Sequence, residues 1–296
     1  LQGRLQGWVV KKSSLKSVFK RMSLLAALCS LLAACGSGGS ETNPRAASGD
    51  RQQADSTSAQ LVNAPVVDPA TLPEVKRIYF RDIFGVVSFL CTGTMINQFD
   101  LLTAAHCVTQ RGTPILHSPE KLLVELAPGQ LVPAVELFAH PLYTGGVSAS
   151  SVYSGTGYIP GDIGVIRLST PTEIFAPILP EVPALGTQIL IAGFGATASG
   201  LGTDELLRAG FTQIDALSLV EGAFYWFFDS VTEANTCFGD SGGPAFVIAA
   251  SGVRSLVGVT SAGAPNCELG SSSVDTLIIS YLPWLTEVTA GAVTLQ

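Results

Sequence analysis

Charge is scarce in this 296-residue chain: Asp, Glu, Lys and Arg make up only 13% of it, against 47% hydrophobic residues. A disordered polyelectrolyte and a long coiled coil both need far more charge, so both are excluded, and there is ample apolar material for a core. No acidic residue precedes Glu41, while six of the 16 basic residues (Arg4, Lys11, Lys12, Lys16, Lys20 and Arg21) fall in the first 21 positions. The rest of the chain carries 10 basic against 23 acidic residues, a formal charge of −13, which argues against nucleic acid as a partner. No repeat of fixed period is visible, and helical signals are few before a possible last helix near Tyr281 to Val288. Histidine is rarer still: there are three, His106, His117 and His140, and all precede Ser241.

What is present begins with an apolar run, Ser23 to Ala34 (SLLAALCSLLAA), directly after Lys20-Arg21. Its length of about a dozen residues suits a secretory signal and is too short to span a bilayer as an ordinary helix. Its end, Leu32-Ala33-Ala34-Cys35 followed by Gly36-Ser37-Gly38, resembles the lipobox of bacterial lipoproteins. That resemblance implies lipidation of Cys35 and a membrane anchor; the alternative is plain signal cleavage with Cys35 incidental. Residues 1–35 are read as the signal segment. Residues 36–74, rich in Gly, Ser, Thr, Ala, Asn, Gln and Pro, are expected to form a flexible linker, and residues 75–290 the globular domain.

Within that domain, short β-rich runs such as GVVSFL, LLVEL, TQILIAGF and PAFVIA alternate with Gly, Pro, Asn and Ser. Many short strands with frequent turn signals predict an all-β barrel or sandwich. Four cysteines lie downstream of the signal segment: Cys91, Cys107, Cys237 and Cys267. An even number suggests two disulfides and an oxidising compartment, with scattered free thiols as the alternative.

Three segments carry chemistry: Leu101-Leu102-Thr103-Ala104-Ala105-His106-Cys107, Gly161-Asp162-Ile163-Gly164, and Cys237-Phe238-Gly239-Asp240-Ser241-Gly242-Gly243. A serine hydroxyl is a poor nucleophile until an imidazole takes its proton, and the imidazole needs a carboxylate to fix its tautomer and stabilise its cation. Ser241, His106 and Asp162 supply these three roles. The glycines flanking Ser241 allow a tight turn in which the amides of Gly239 and Ser241 converge as an oxyanion hole. Taken singly, each segment has a structural explanation; their conjunction does not. Gly-Asp-Ser-Gly-Gly also fits the elbow of α/β-hydrolases, but there the histidine follows the serine, which this chain forbids.

With these residues in hand, the chain resembles the trypsin/chymotrypsin family of serine endopeptidases from about Val75 to Val288. Further matching places are Cys91-Thr92-Gly93-Thr94-Met95-Ile96, His140-Pro141-Leu142-Tyr143, Ile191-Ala192-Gly193-Phe194-Gly195 and Tyr281-Leu282-Pro283-Trp284. The resemblance implies two six-stranded antiparallel β-barrels with a short C-terminal helix and an active site between the barrels. It implies pairing of Cys91 with Cys107 and of Cys237 with Cys267, each worth about 2–4 kcal/mol. It also implies a substrate pocket built from Asn235, Thr236, Ser261, Gly263, Ser273 and Asp275. Asn235 stands where trypsin-like members carry Asp. Asp275 would restore a preference for basic side chains if it points inward and would leave an uncharged polar pocket if it points outward; the uncharged pocket is the favoured expectation.

Family members are usually activated by a cut that frees an Ile- or Val-led amino terminus to pair with the Asp before the nucleophile, here Asp240. No Ile-Val-Gly-Gly is present. Arg77-Ile78 looks like a tryptic site but lies close to Cys91; Val66 or Val67 is better spaced. Otherwise Asp240 needs an internal partner, such as Lys76 or Arg77. His117 and His140 are expected to be structural or surface residues. The expected function is an exported endopeptidase acting on protein or peptide substrates, with no cofactor and no metal. The alternative is a catalytically silent surface lipoprotein that uses the scaffold for binding.

Overall fold

Period-two burial shapes the first half of the domain. In Gln130–Ala139 the side chains of Val132, Ala134 and Leu137 turn inward while Leu131, Val135 and Glu136 face solvent, with an irregularity between Ala134 and Glu136 where the alternation slips. The computed structural model describes residues 61–145, 159–197, 202–218, 224–228, 232–263, 267 and 272–296. The signal segment with Cys35, and most of the expected linker, lie outside the described residues.

Six strands close the first barrel: β1 (Val75–Arg81), β2 (Val87–Met95), β3 (Asp100–Thr103), β4 (Leu122–Ala127), β5 (Gln130–Ala139) and β6 (Gly164–Leu168). Their order is β1-β2-β3-β6-β5-β4, with β1 pairing both β2 and β4. Ile78, Met95, Leu101, Leu102, Val124, Val165 and Ile166 on these strands are all fully buried and belong to one core cluster. Each such side chain contributes about 1.5–3 kcal/mol of burial. β3 runs antiparallel to β6 with Thr103 opposite Gly164. The segment leaving β3, which turns into the four-residue helix α1 (Ala105–Val108), therefore lies beside the segment entering β6. That is why residues 56 positions apart can meet.

The second half is a seven-stranded antiparallel sheet rather than the expected second six-stranded barrel. It comprises β7 (Gln188–Gly193), β8 (Arg208–Gln213), β9 (Ala216–Ser218), β10 (Phe224–Phe228), β11 (Pro244–Ile248), β12 (Arg254–Gly263) and β13 (Ser272–Leu277), in the order β8-β7-β11-β12-β13-β10-β9. The sheet curls, with β8 approaching β10, but among the described residues no strand pair closes it, because β9 caps the edge of β10. A short helix α2 (Leu282–Val288) ends the domain with Pro283 in its first turn, a position where no amide bond is lost.

The chain before β1 is more ordered than its composition suggests. Leu61, Val62, Ala64 and Leu72 are buried, Val62 bridges Asn235, and Val66 bridges Arg208. The few aliphatic residues in this polar stretch are those that dock on the second sheet.

Candidate active site

Asp162 is fully buried just before β6, and its carboxylate accepts three hydrogen bonds. Oδ1 takes the backbone N–H of His106 at 2.9 Å; Oδ2 takes Nδ1 of His106 at 2.8 Å and the Ser261 hydroxyl at 2.6 Å. A carboxylate only accepts, so Nδ1 of His106 carries the proton and Nε2 of the neutral ring is left as an acceptor. The Thr276 hydroxyl holds the Asp162 main-chain carbonyl at 2.9 Å. Gly161 is required beside it: φ is +66°, and a Cβ there would lie 2.8 Å from the Tyr143 nitrogen.

The His106 side chain remains 28% exposed. Burial pushes its pKa down, but the Asp162 charge and hydrogen bond push it up by more, and the net shift is upward from the ordinary 6.5. Its sequence neighbour Cys107 forms a disulfide with Cys91, as expected, so the cluster of His106 with these two sulfurs offers no thiolate to a metal.

Ser241 sits on the turn before β11. Its carbonyl accepts the Thr92 N–H from β2 at 2.9 Å and lies 3.7 Å from the Cys107 sulfur, which seats the turn against the segment carrying His106. The side chain is half-buried at the mouth of a cavity of about 200 Å³ lined by Thr236, Cys237, Phe238, Thr260, Ser261, Ala262, Gly263 and Cys267. Among the described residues the Ser241 hydroxyl makes no hydrogen bond to His106. The turn's amides divide into two sets. Those of Asp240, Gly242 and Gly243 donate to the carbonyls of Cys237, Thr260 and Asp240, whereas those of Gly239 and Ser241 have no protein acceptor among the described residues. The glycines are obligatory: Gly239 has φ +96° with Phe89 and Gly195 against it, and Gly242 has φ +79° with the Thr103 hydroxyl where a Cβ would stand.

The pocket residues separate by role. Asn235 is buried; its Oδ1 accepts the Thr236 N–H at 2.8 Å and the Ser273 hydroxyl, and the Thr236 hydroxyl lies 2.6 Å from that of Ser273. Gly263 is at the open rim. Ser261, which lines the cavity, donates its hydroxyl to Asp162. Asp275 on β13 is fully buried and is not among the residues that line the cavity. Cys237 is bonded to Cys267 at the cavity wall, as expected. His117 packs on Phe80, and His140 packs edge-on against Tyr281 and Trp284; burial lowers the pKa of both.

Asp240 is buried under the turn, its carboxylate held by the amides of Gly195 (2.8 Å) and Cys237 (2.9 Å). Gly193 and Gly195 make room for it: a Cβ on either would meet its carboxylate. Burial raises its pKa to about 7; the two amides and the charge of Arg208 offset this only in part. It has no salt bridge among the described residues. Neither anticipated cation serves it: Lys76 donates to the Leu126 carbonyl, and Arg77 to the Glu205 carbonyl and the Glu125 carboxylate. A cut at Arg77-Ile78 would sever β1 at the fully buried Ile78, in the middle of the barrel.

A family model described as Trypsin matches residues 66–285. The chain belongs to the trypsin family of serine proteases. Human (Homo sapiens) kallikrein-2 is 29% identical over 220 residues, covering 68% of this chain and 80% of the relative. Chymotrypsin of Phaedon cochleariae is 30% identical over 254 residues (77% and 82%), and anionic trypsin of Bos taurus 28% over 217 (68% and 80%). For a trypsin-family chain, the residues the sequence did not single out are Thr276 and Phe89, while Ser261, expected in the substrate pocket, is bonded to Asp162. Each acts through the back of a motif residue, and no local pattern marks such a contact.

Proposed function

We propose that this trypsin-family chain is an exported endopeptidase in which Ser241 attacks the peptide carbonyl, His106 takes its proton and later returns it to the leaving amine, and Asp162 holds the imidazolium. The amides of Gly239 and Ser241 stabilise the oxyanion of the tetrahedral intermediate. The observation that carries this reading is the buried Asp162 carboxylate bonded to Nδ1 and N–H of His106, which leaves Nε2 as the acceptor of the neutral ring. A fluorophosphonate probe tests it: labelling of the folded protein at neutral pH should vanish in Ser241→Ala. Folded, mature protein that takes no label would favour the silent binding scaffold.

Asp240 adds a second element. A buried carboxylate without a cation is what a precursor awaiting its counter-ion would present. Leu61 is 1% exposed, and the Val62 carbonyl accepts the Asn235 N–H at 3.0 Å while Val62 packs with Ala196 and the Cys237–Cys267 disulfide. On this reading, cleavage before Leu61 frees an α-ammonium on the segment that packs against the disulfide of Cys237, three residues before Asp240, to serve as that counter-ion. The same cut would release the domain from a lipid held by Cys35 and from residues 36–60. Amino-terminal sequencing of the active form should read Leu61-Val62-Asn63-Ala64; a start elsewhere would discard this step.

A further inference from the structure

Gly239, one of the two turn residues whose amides have no protein acceptor among the described residues, is held in a slot. A Cβ at Gly239 would lie 2.8 Å from Cε1 of Phe89 on one side and 2.9 Å from Cα of Gly195 on the other, so an aromatic ring and a stretch of backbone clasp it. The Thr92 hydroxyl closes a third side, donating to the Gly239 carbonyl at 3.0 Å and accepting the Phe194 N–H at 3.2 Å. The Phe89 wall belongs to the first barrel, whereas the Gly195 wall follows β7 of the second sheet. The direction of the Gly239 N–H therefore depends on how two different sheets are held against each other.

Both walls lead back to Glu205. The register of β1 and β2 places Tyr79 opposite Phe89, and the two rings meet edge-on with centroids 6.0 Å apart. The Tyr79 hydroxyl donates to Glu205 Oε2 at 2.6 Å; burial and this bond push the phenol far above its ordinary pKa, so it stays a donor. Arg77, two residues earlier on the same face of β1, donates from Nε (2.9 Å) and Nη2 (2.6 Å) to the Glu205 carbonyl, and its guanidinium lies over the Phe194 ring at 4.3 Å. On the other side the Glu205 N–H donates to the Thr203 hydroxyl at 2.9 Å, and that hydroxyl donates to the Phe194 carbonyl. The next amide, that of Gly195, holds Asp240 at 2.8 Å. Glu205 itself is a non-glycine residue at φ +58°, a conformation that persists only where its surroundings enforce it. Its N–H, carbonyl and carboxylate are all engaged, and between them they reach both walls of the slot.

Resting on the endopeptidase reading above, we propose that Glu205 is a positioning residue for the oxyanion hole. Through Tyr79 and Phe89 on one side, and through Thr203 and Gly195 on the other, it sets the slot that aims the Gly239 amide. It touches neither the substrate nor the reacting atoms. Its side chain serves as an acceptor at a fixed place, so the arrangement asks for an oxygen there and not for a charge. The bond it governs strengthens only as negative charge gathers on the substrate carbonyl oxygen, so loosening the slot lowers kcat and leaves ground-state binding alone. Removing an oxyanion donor outright costs about a hundred- to a thousandfold in kcat; letting one swing costs part of that, about tenfold.

The test compares the mature protein with variants that take the support apart. Tyr79→Phe keeps the ring and removes the hydrogen bond, Glu205→Ala removes the carboxylate, and Glu205→Gln keeps an acceptor oxygen; Tyr79→Phe carries the test if the alanine variant folds poorly. Steady-state kinetics on a peptide amide should show kcat about tenfold lower in Tyr79→Phe and Glu205→Ala, KM within about twofold, and Glu205→Gln close to wild type. A peptide trifluoromethyl ketone, whose Ser241 adduct carries an oxyanion, should bind about tenfold more weakly to the first two, while the carboxamide of the same peptide binds every variant alike. Tyr79→Phe combined with Glu205→Ala should be no worse than either alone. An unchanged kcat, equal losses for ketone and carboxamide, or Glu205→Gln as impaired as Glu205→Ala overturns the inference. Hydrogen exchange at the bonded amides of Asp240, Gly242 and Gly243 reads the turn without turnover: it should quicken in Tyr79→Phe while β3 is unaffected, and no change there overturns the positioning role even in a chain that hydrolyses nothing. Wild-type protein that no fluorophosphonate labels, but whose turn exchanges faster in Tyr79→Phe, would leave the support assigned and remove the hydrolase reading.

Discussion

Each oxygen of Asp162 has a partner, and that bookkeeping explains what single side chains can be expected to do. Oδ2 is shared by His106 and Ser261. Ser261→Ala would remove a charge-assisted bond of about 1.5–3 kcal/mol and loosen the carboxylate that orients the imidazole. We expect kcat to fall about tenfold with KM little changed, read by steady-state kinetics. His106→Ala and Ser241→Ala should each abolish nearly all turnover, since the members of such a unit fail together. Because the His106 pKa is raised, the neutral base is lost as pH falls through a midpoint above 6.5; a kcat/KM profile flat from pH 5 to 8 would remove His106 from its role. The residue types and their order were legible in the sequence because the chemistry demands them. The Ser261 bond was not, because a serine in Ser-Ala-Gly can face substrate or carboxylate equally well until the strand is placed.

The turn that bears Ser241 shows at the level of the element how a local motif depends on distant backbone. Gly85 and Gly242 share a positive φ, but nothing lies within 4 Å of a Cβ at Gly85, whereas one at Gly242 would lie 1.9 Å from the Thr103 hydroxyl. Alanine at Gly85 should therefore cost only the conformational penalty of about 1–2 kcal/mol, while alanine at Gly242 must also displace β2 and β3 from the turn. Urea unfolding of the two variants should separate them by more than about 2 kcal/mol. The glycines of this turn were readable from sequence as turn formers, yet the crowding that makes one of them irreplaceable comes from strands about 140 residues away. The same limit applied to the second sheet: short β-rich runs announced strands, but pairing order and the capping of β10 by β9 are set by register between segments, which periodicity does not encode.

For the molecule as a whole, the buried Asp240, held by two amides but with no salt bridge among the described residues, makes stability depend on pH and on processing. Its folded pKa, about 7, lies above the unfolded value near 4, so the folded chain holds a proton that the unfolded chain has lost. Its contribution to stability is thus greatest below about pH 4 and is lost as pH rises to 7, by on the order of 4 kcal/mol for the roughly three-unit shift. Denaturant titrations of the uncut chain and of Asp240→Asn should differ in slope by about one proton across that window, and cleavage before Leu61 should flatten the wild-type curve. Equal slopes would mean that Asp240 already has its cation. The sequence by itself determined the reacting groups, their order, the four cysteines and a β-rich domain, because reactivity and turn geometry are properties of residue types and short spacings. Tertiary structure alone decided that Asp162 is dry, that Asp275 is buried, that Leu61 is seated on the second sheet and that Lys76 and Arg77 are committed elsewhere. Burial and partnership depend on which distant strands converge, and that convergence sets both the charge state and the reach of every group in the groove.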